Sequence, residues 1–364
     1  MIERDSRYTN LSQIIAWVRL PLIIGVVLAH ANLYALVENW YGETPVWPQW
    51  LIFIFYNLKN ILLPERVAVL FLISGFFFFK GIHRAEPNFF INKLKRRVHS
   101  LLVPYIVWNT IALILFYIKS NEVLGSLSVQ SGEEFSIIKY LSGYWAFYFT
   151  GDTPANMPLW FVRNLMVICL LTPLLYRLLR TTWSCFFLIV LAFCLVYDIV
   201  IPINGLDISS IFFFSLGAWL QINNVSIVTI PAKVGWMAVA LYIPLSYFQF
   251  GLYDEPWYIL CALATVLIKA IALVFAVSEL FKHRIICSVP KIAEQTFYLY
   301  ALHGLIIGPV IKILYILSGA TNNPFLLLFI SLLSVFFVVL LSFISYNVLK
   351  KYAPSFLKIL SGGR

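Results

Sequence analysis

Charged residues are scarce in this 364-residue chain: 12% are Asp, Glu, Lys or Arg, against 61% hydrophobic. So little charge excludes a soluble globular domain of this length, which would have too few polar groups to face water. Acidic residues are the scarcer sign, 16 against 26 basic, for a net charge of +10. In a soluble chain that excess would suggest a nucleic-acid partner; here no solvent-exposed basic domain exists to carry one, so nucleic-acid binding is excluded. Cysteine is sparse: Cys169, Cys185, Cys194, Cys261 and Cys287 fall mostly within apolar runs and form no C-x-x-C pair. That pattern argues against disulfides and a zinc site, and no metal is expected. The alternation of a barrel strand is also missing, which leaves helices as the way through a membrane.

The apolar residues gather in runs of about 20, the length that crosses a hydrocarbon core as a helix. Ten spans are read, at 14–36, 61–82, 100–119, 158–177, 183–203, 208–223, 233–250, 257–281, 296–318 and 325–348. The predicted fold class is all-α: a polytopic membrane protein, one domain over 1–364, with spans and loops over about 11–348 and a tail over 349–364. Alternate loops differ in sign. One set holds Arg84, Lys93, Lys95, Arg96 and Arg97, then Arg177 and Arg180, then Lys282, Arg284 and Lys291, with Lys350, Lys351 and Lys358 in the tail. The other holds Glu38, Glu43, Glu122, Glu133, Glu134, Asp152, Asp254 and Glu255. The excess of cations on the cytoplasmic side places both termini in the cytoplasm. The first apolar run follows a charged start and is long enough to span, so it reads as a membrane helix rather than a cleaved signal peptide. The segment 120–157 carries Tyr140, Tyr144, Trp145, Phe147 and Tyr148, which suit an interfacial belt or a sugar-stacking surface. The stretch 45–58, with Trp47, Trp50 and Tyr56, reads as an amphipathic interfacial helix.

Ionisable groups inside spans cost about 2.5–3.5 kcal/mol each at the membrane centre, so each asks for a reason. They are Arg19, His30, Arg66, Arg163, Lys269, His303 and Lys312. Lys269 and Lys312 have stems long enough to snorkel. Arg19 and His30 are eleven residues apart in one run. That spacing is roughly three helical turns, so both leave one face about 16 Å apart in height, marking a polar channel rather than a lipid-facing surface. An imidazole titrates near neutrality and can take a proton from an alcohol, which makes His30 the candidate base. Arg19 suits a phosphate or an acyl carbonyl. Arg66, at the outer end of its span, is either an anchor or part of a vestibule. Ser74-Gly75-Phe76 is a small-residue break where backbone or ligand can approach closely, and Ser74 reads as packing or ligand contact. The run Lys93-Leu-Lys-Arg-Arg-Val-His-Ser100 reads as a topology determinant or as a dock for a polyanionic donor.

Together these pieces resemble the acyltransferase 3 family of integral membrane O-acyltransferases that decorate bacterial envelope glycans. The resemblance runs from about residue 11 to 348. It rests on Arg19 and His30 as an Arg-x10-His pair, on Ile73-Ser74-Gly75-Phe76, and on the basic run ending in Val103-Pro104-Tyr105. Pro158-Leu-Trp160-Phe161 and the stretch from Tyr298 through Tyr300 to His303 complete it. Two positions depart from the family pattern: Ala16 stands where an acidic residue is common, and Arg97 is followed by Ser100 where a second arginine is common, with Arg96 and His99 as possible substitutes.

The resemblance implies transfer of an acyl group, acetyl before succinyl, from acyl-coenzyme A to a sugar hydroxyl in an envelope or exported glycan. The implied location is the bacterial plasma (inner) membrane. Acetyl-coenzyme A or another acyl-coenzyme A is then the donor substrate, with no bound cofactor, and the partners are that donor, a carbohydrate acceptor and the lipid bilayer. On this reading His30 is the base and Arg19 orients or polarises the thioester. Substrate contacts come from Arg66, Ser74, Arg96, Arg97, Trp160, Arg163, Tyr300 and His303. The alternative on residues alone is a transporter of a glycan, lipid-linked sugar or small polar metabolite, which buried cations also fit. Transporters often show two related halves, and this chain shows no internal repeat.

Overall fold

The computed structural model describes residues 2–31, 48, 50, 53–54, 67–82, 88–120, 141–146, 152–225, 230–252, 255, 257–286, 288, 291–319 and 323–363. The elements found there are all helical: α1 (Ile2–His30), α2 (Ala68–Phe78), α3 (Phe89–Arg97), a π-helical turn at Val98–Leu102, and α4 (Val103–Ser120). After a 3-10 turn at Met157–Leu159 come α5 (Trp160–Leu170), α6 (Thr172–Leu179), α7 (Ser184–Val196) and α8 (Ile208–Ile222). The chain continues as α9 (Ala232–Gly251), α10 (Tyr258–Lys282), α11 (Lys291–Glu294), α12 (Thr296–Leu317), α13 (Pro324–Tyr352) and α14 (Pro354–Leu360). Of the expected interfacial helix at 45–58 only Pro48, Trp50, Phe53 and Ile54 are described, the last three helical; the rest of it and the residues Arg66, Tyr140, Phe147 and Tyr148 lie outside the described residues.

Each of the ten expected segments carries a helix, but not each helix is long enough to cross a bilayer. Among the described residues five are: Leu11–His30, Phe89–Ile118, Tyr258–Lys282, Thr296–Leu317 and Pro324–Tyr352. A sixth crossing appears if α5 and α6 count as one span bent by 64°. α2, α7 and α8 are apolar but shorter, and α9, which holds Lys233, Pro244, Ser246 and Gln249, falls short in apolarity. The count of ten therefore exceeds what helix length and apolarity support here. The run 183–203 shows why: α7 ends at Val196 and Asp198 turns the chain with a positive φ of 48°, yet Ile199, Val200 and Ile203 keep the hydropathy high. Hydropathy counts these residues as span although they no longer add helical rise.

The packing is that of a membrane bundle. α13 buries Ser331, Ser334 and Ser342 and exposes Phe325, Phe329 and Phe336, the reverse of a soluble helix. α2 and α8 meet backbone to backbone: a Cβ on Gly75 would stand 2.0 Å from the Phe214 carbonyl oxygen, and one on Gly217 would stand 1.9 Å from that of Leu72. No side chain fits at either position, and the expected close approach at Gly75 is this helix contact. α1 lies against α10, α12 and α13, at the centre of the bundle.

Candidate active site

Arg19 and His30 share the face of α1 that meets α12, as the eleven-residue spacing predicts. Arg19 lines a cavity together with Thr296, Phe297 and Tyr300 of α12. His30, the last residue of α1, faces the His303 ring at 5.3 Å between centroids. The two helices thus run alongside in the same sense. On α12 the three marked side chains diverge, being two and three residues apart. Tyr298 donates to Ser345 Oγ at 3.1 Å, and Tyr300 donates to the Pro158 carbonyl. His303 lies 5.8 Å from the Tyr300 ring and turns to His30.

His303 is fully buried, and no well-formed hydrogen bond among the described residues reaches either of its ring nitrogens. The carbonyls of Leu299 and Tyr300, one turn back, are the neighbouring acceptors. Asn156 meets α12 on the face of Ala301 and Gly304. Its backbone N–H donates to Asn109 Oδ1 at 3.0 Å and its Nδ2 donates to the Ala301 carbonyl at 2.9 Å. Its Oδ1 has no partner among the described residues, and a Cβ on Gly304 would stand 2.5 Å from it. Buried polar groups are normally paired, so two unpaired ring nitrogens on His303, set against a second imidazole, mark a place where something else can bond.

The cavity encloses about 690 Å³ of empty space, part of it open to solvent. Arg19, Ser74, Arg97 and Tyr300, far apart in sequence, all line it. Among the described residues its lining holds two guanidinium groups and neither Asp nor Glu. Among the described residues no hydrogen bond or ion pair reaches Arg19. Two like charges facing one low-dielectric space, with no carboxylate between them, favour an anionic or strongly polarised ligand. Arg97 packs its guanidinium 5.9 Å from the Phe78 ring centre and begins the π-helical turn, an irregularity common at functional sites. Arg96 and His99 are exposed and do not line the cavity, so neither stands in for the missing second arginine. Trp160 packs its ring 6.3 Å from Phe71, while its neighbour Phe161 lines the cavity and meets both Phe71, at 4.6 Å, and Tyr300, at 6.1 Å.

Arg163 lies elsewhere. Its Nη1 donates to the carbonyls of Trp145 and Asp152, the latter at 2.6 Å, and its Nε donates to Asn164 Oδ1 at 3.1 Å. Asn164 Nδ2 then donates to Asp207 Oδ2 at 2.7 Å, while Asp207 Oδ1 caps α8 through the Ser210 N–H at 2.7 Å. Arg163 therefore ties segment 145–152 to two helices and is not brought into the cavity. Lys269 is buried with its Nζ 5.3 Å from the Tyr242 ring centre and does not snorkel.

Sequence reasoning passed over Asn109, Asn156 and Thr296 because it weighed only ionisable groups. The signal was present for the first: Asn109 is a lone amide inside an apolar run.

Comparison with known proteins gives the following. The model of the acyltransferase 3 family, described as an acyltransferase domain, matches residues 13–344. The succinoglycan biosynthesis protein ExoH of Rhizobium meliloti (strain 1021) is 26% identical over 365 residues, covering 98% of this chain and 93% of that protein. No solved structure matches. Between the two readings left open by the residues, enzyme and transporter, the family match decides for the enzyme.

Proposed function

Since the chain belongs to the acyltransferase 3 family, we propose that it is a multi-pass O-acyltransferase of the bacterial plasma membrane, with both termini in the cytoplasm. It moves an acyl group, acetyl in the first instance, from acyl-coenzyme A to a sugar hydroxyl of an envelope or exported glycan. The observation that carries this reading is the cavity that brings Arg19 of α1, Arg97 and Tyr300 of α12 together, between the same two helices that set His30 against His303 beyond its lining. The glycan acceptor draws support from the relative named for succinoglycan biosynthesis.

The donor enters from the cytoplasmic end, with Arg97 toward the pyrophosphate that begins its thioester arm and the arm directed along the cavity. Arg19 sits about 16 Å below His30 in helical rise, too far to polarise a carbonyl being attacked there, so its role is to orient the donor. The acceptor hydroxyl bonds His30, with the unpaired ring nitrogens of His303 beside it. His30 removes the hydroxyl proton as the oxygen attacks the thioester carbonyl carbon. The C–S bond breaks, the thiolate of coenzyme A leaves, and it takes the proton back from His30. A thioester is already activated, so what the protein adds is positioning and a base.

The test compares cells carrying the wild type and His30→Ala at matched membrane levels, with base-labile esters on envelope glycans measured by mass spectrometry. Esters present with the wild type and lost with the variant are expected, and the mass increment identifies the acyl group. Equal ester content in both contradicts the assignment.

A further inference from the structure

Residues 349–364 read as a tail in the sequence, yet the described part of this segment is folded onto the bundle. α13 ends at Tyr352, α14 starts with Pro354 after Ala353, and Leu357 and Leu360 are buried. Trp108 Nε1 on α4 donates to the Leu360 carbonyl at 3.0 Å. Gly362 follows with φ of 70°, and a Cβ there would stand 2.4 Å from the Ser100 carbonyl oxygen in the π-helical turn. Only glycine meets both demands. The C-terminal segment is thereby pinned beside Arg97.

Docked in this way, the segment walls a second cavity of about 1060 Å³ of empty space, part of it open to solvent. Arg19, Lys350 and Lys358 bring three cations to its lining, Tyr346 and Ser361 bring hydroxyls, and Glu294 is the one carboxylate. Arg19 and Thr296 line both this cavity and the first. One elongated ligand can therefore occupy both, with its anionic end among the lysines and its other end toward Tyr300.

We propose that this second cavity binds the phosphorylated nucleotide end of the acyl donor, with Lys350 and Lys358 as its phosphate contacts and Arg19 at the join between nucleotide and thioester arm. The proposal rests on the donor reading given under Proposed function. It gives the C-terminal helix a part in donor selection that apolar packing alone does not require. Both lysines are exposed, so their replacement leaves the core intact.

The experiment uses purified full-length protein in lipid nanodiscs and two donors: acetyl-coenzyme A, and acetyl-pantetheine, which has the same thioester arm without nucleotide or phosphate. For the Lys350→Ala/Lys358→Ala double variant, the ratio of kcat/KM for acetyl-coenzyme A to that for acetyl-pantetheine is expected to fall about tenfold, as loss of charge-assisted contacts requires. Gly362→Val, which dislodges the segment, is expected to lower the same ratio. A wild type that uses acetyl-coenzyme A together with variants of unchanged ratio overturns this site alone. A wild type that uses neither donor overturns the donor reading and this site with it.

Discussion

Arg19 and Arg163 are both guanidinium groups set into apolar helices, and the molecule treats them in opposite ways. Arg163 is saturated: two backbone carbonyls and an amide oxygen accept from it, and the chain of bonds continues through Asn164 to the cap of α8. Arg19 has no such bond among the described residues and faces two cavities. The contrast extends to their neighbours. Asp207 bonds through both oxygens, whereas His303 and the Asn156 side-chain oxygen stay unpaired. A buried polar group is costly until something bonds it. In one region the protein itself supplies the partner and gains fixed structure. In the other, on the proposed function, the partner is left to the substrates.

The largest expected effect is on the unpaired side. His30→Ala should lower acyl transfer at least about hundredfold, in line with loss of a general base, while the amount of folded protein recovered from membranes stays the same. If transfer falls only in proportion to folded protein, the contrast between the regions breaks. Next comes Asp207→Ala, which removes a helix cap and orphans the Asn164 amide; a loss of about 2–3 kcal/mol of stability is expected. Thermal unfolding checks it, and the turnover of the molecules that remain folded should match the wild type. Arg97→Ala should raise KM for acyl-coenzyme A about tenfold with a smaller change in kcat, read from initial rates across donor concentrations. The smallest effect sharpens the comparison most. His303→Leu replaces a buried group that has no good hydrogen bond, so Tm should hold or rise, by the equivalent of up to about 1 kcal/mol, while transfer drops several-fold. A marked fall in Tm would mean that the His303 ring serves the fold.

Much of this contrast was legible before the fold was known, and the illegible parts have physical causes. The shared face of Arg19 and His30 follows from helical periodicity alone, and the tight approach at Gly75 follows from what glycine permits. The role of Arg163 was hidden because its partners are backbone carbonyls, which carry no sequence signature. Where each crossing ends was illegible because hydropathy does not register where a helix stops, as at Asp198. The docking of α14 depends on Gly362 meeting the Ser100 carbonyl, a contact between residues far apart in the chain that no local pattern announces. The family resemblance supplied the activity, while the cavity supplied which of its marked residues stand together.

One measurement tests the central claim most directly: Tm and acyl transfer, side by side, for purified Arg19→Met and Arg163→Met. The substitution is the same in both, and the two regions should answer oppositely. Arg163→Met orphans one buried acceptor, the Asn164 side-chain oxygen, at roughly 1–3 kcal/mol, and two part-buried carbonyls at less, so its Tm should fall by several degrees while folded molecules keep their turnover. Arg19→Met should keep the wild-type Tm and lose at least about tenfold in kcat/KM for acyl-coenzyme A. An Arg19→Met protein that is destabilised yet fully active once folded would contradict the account.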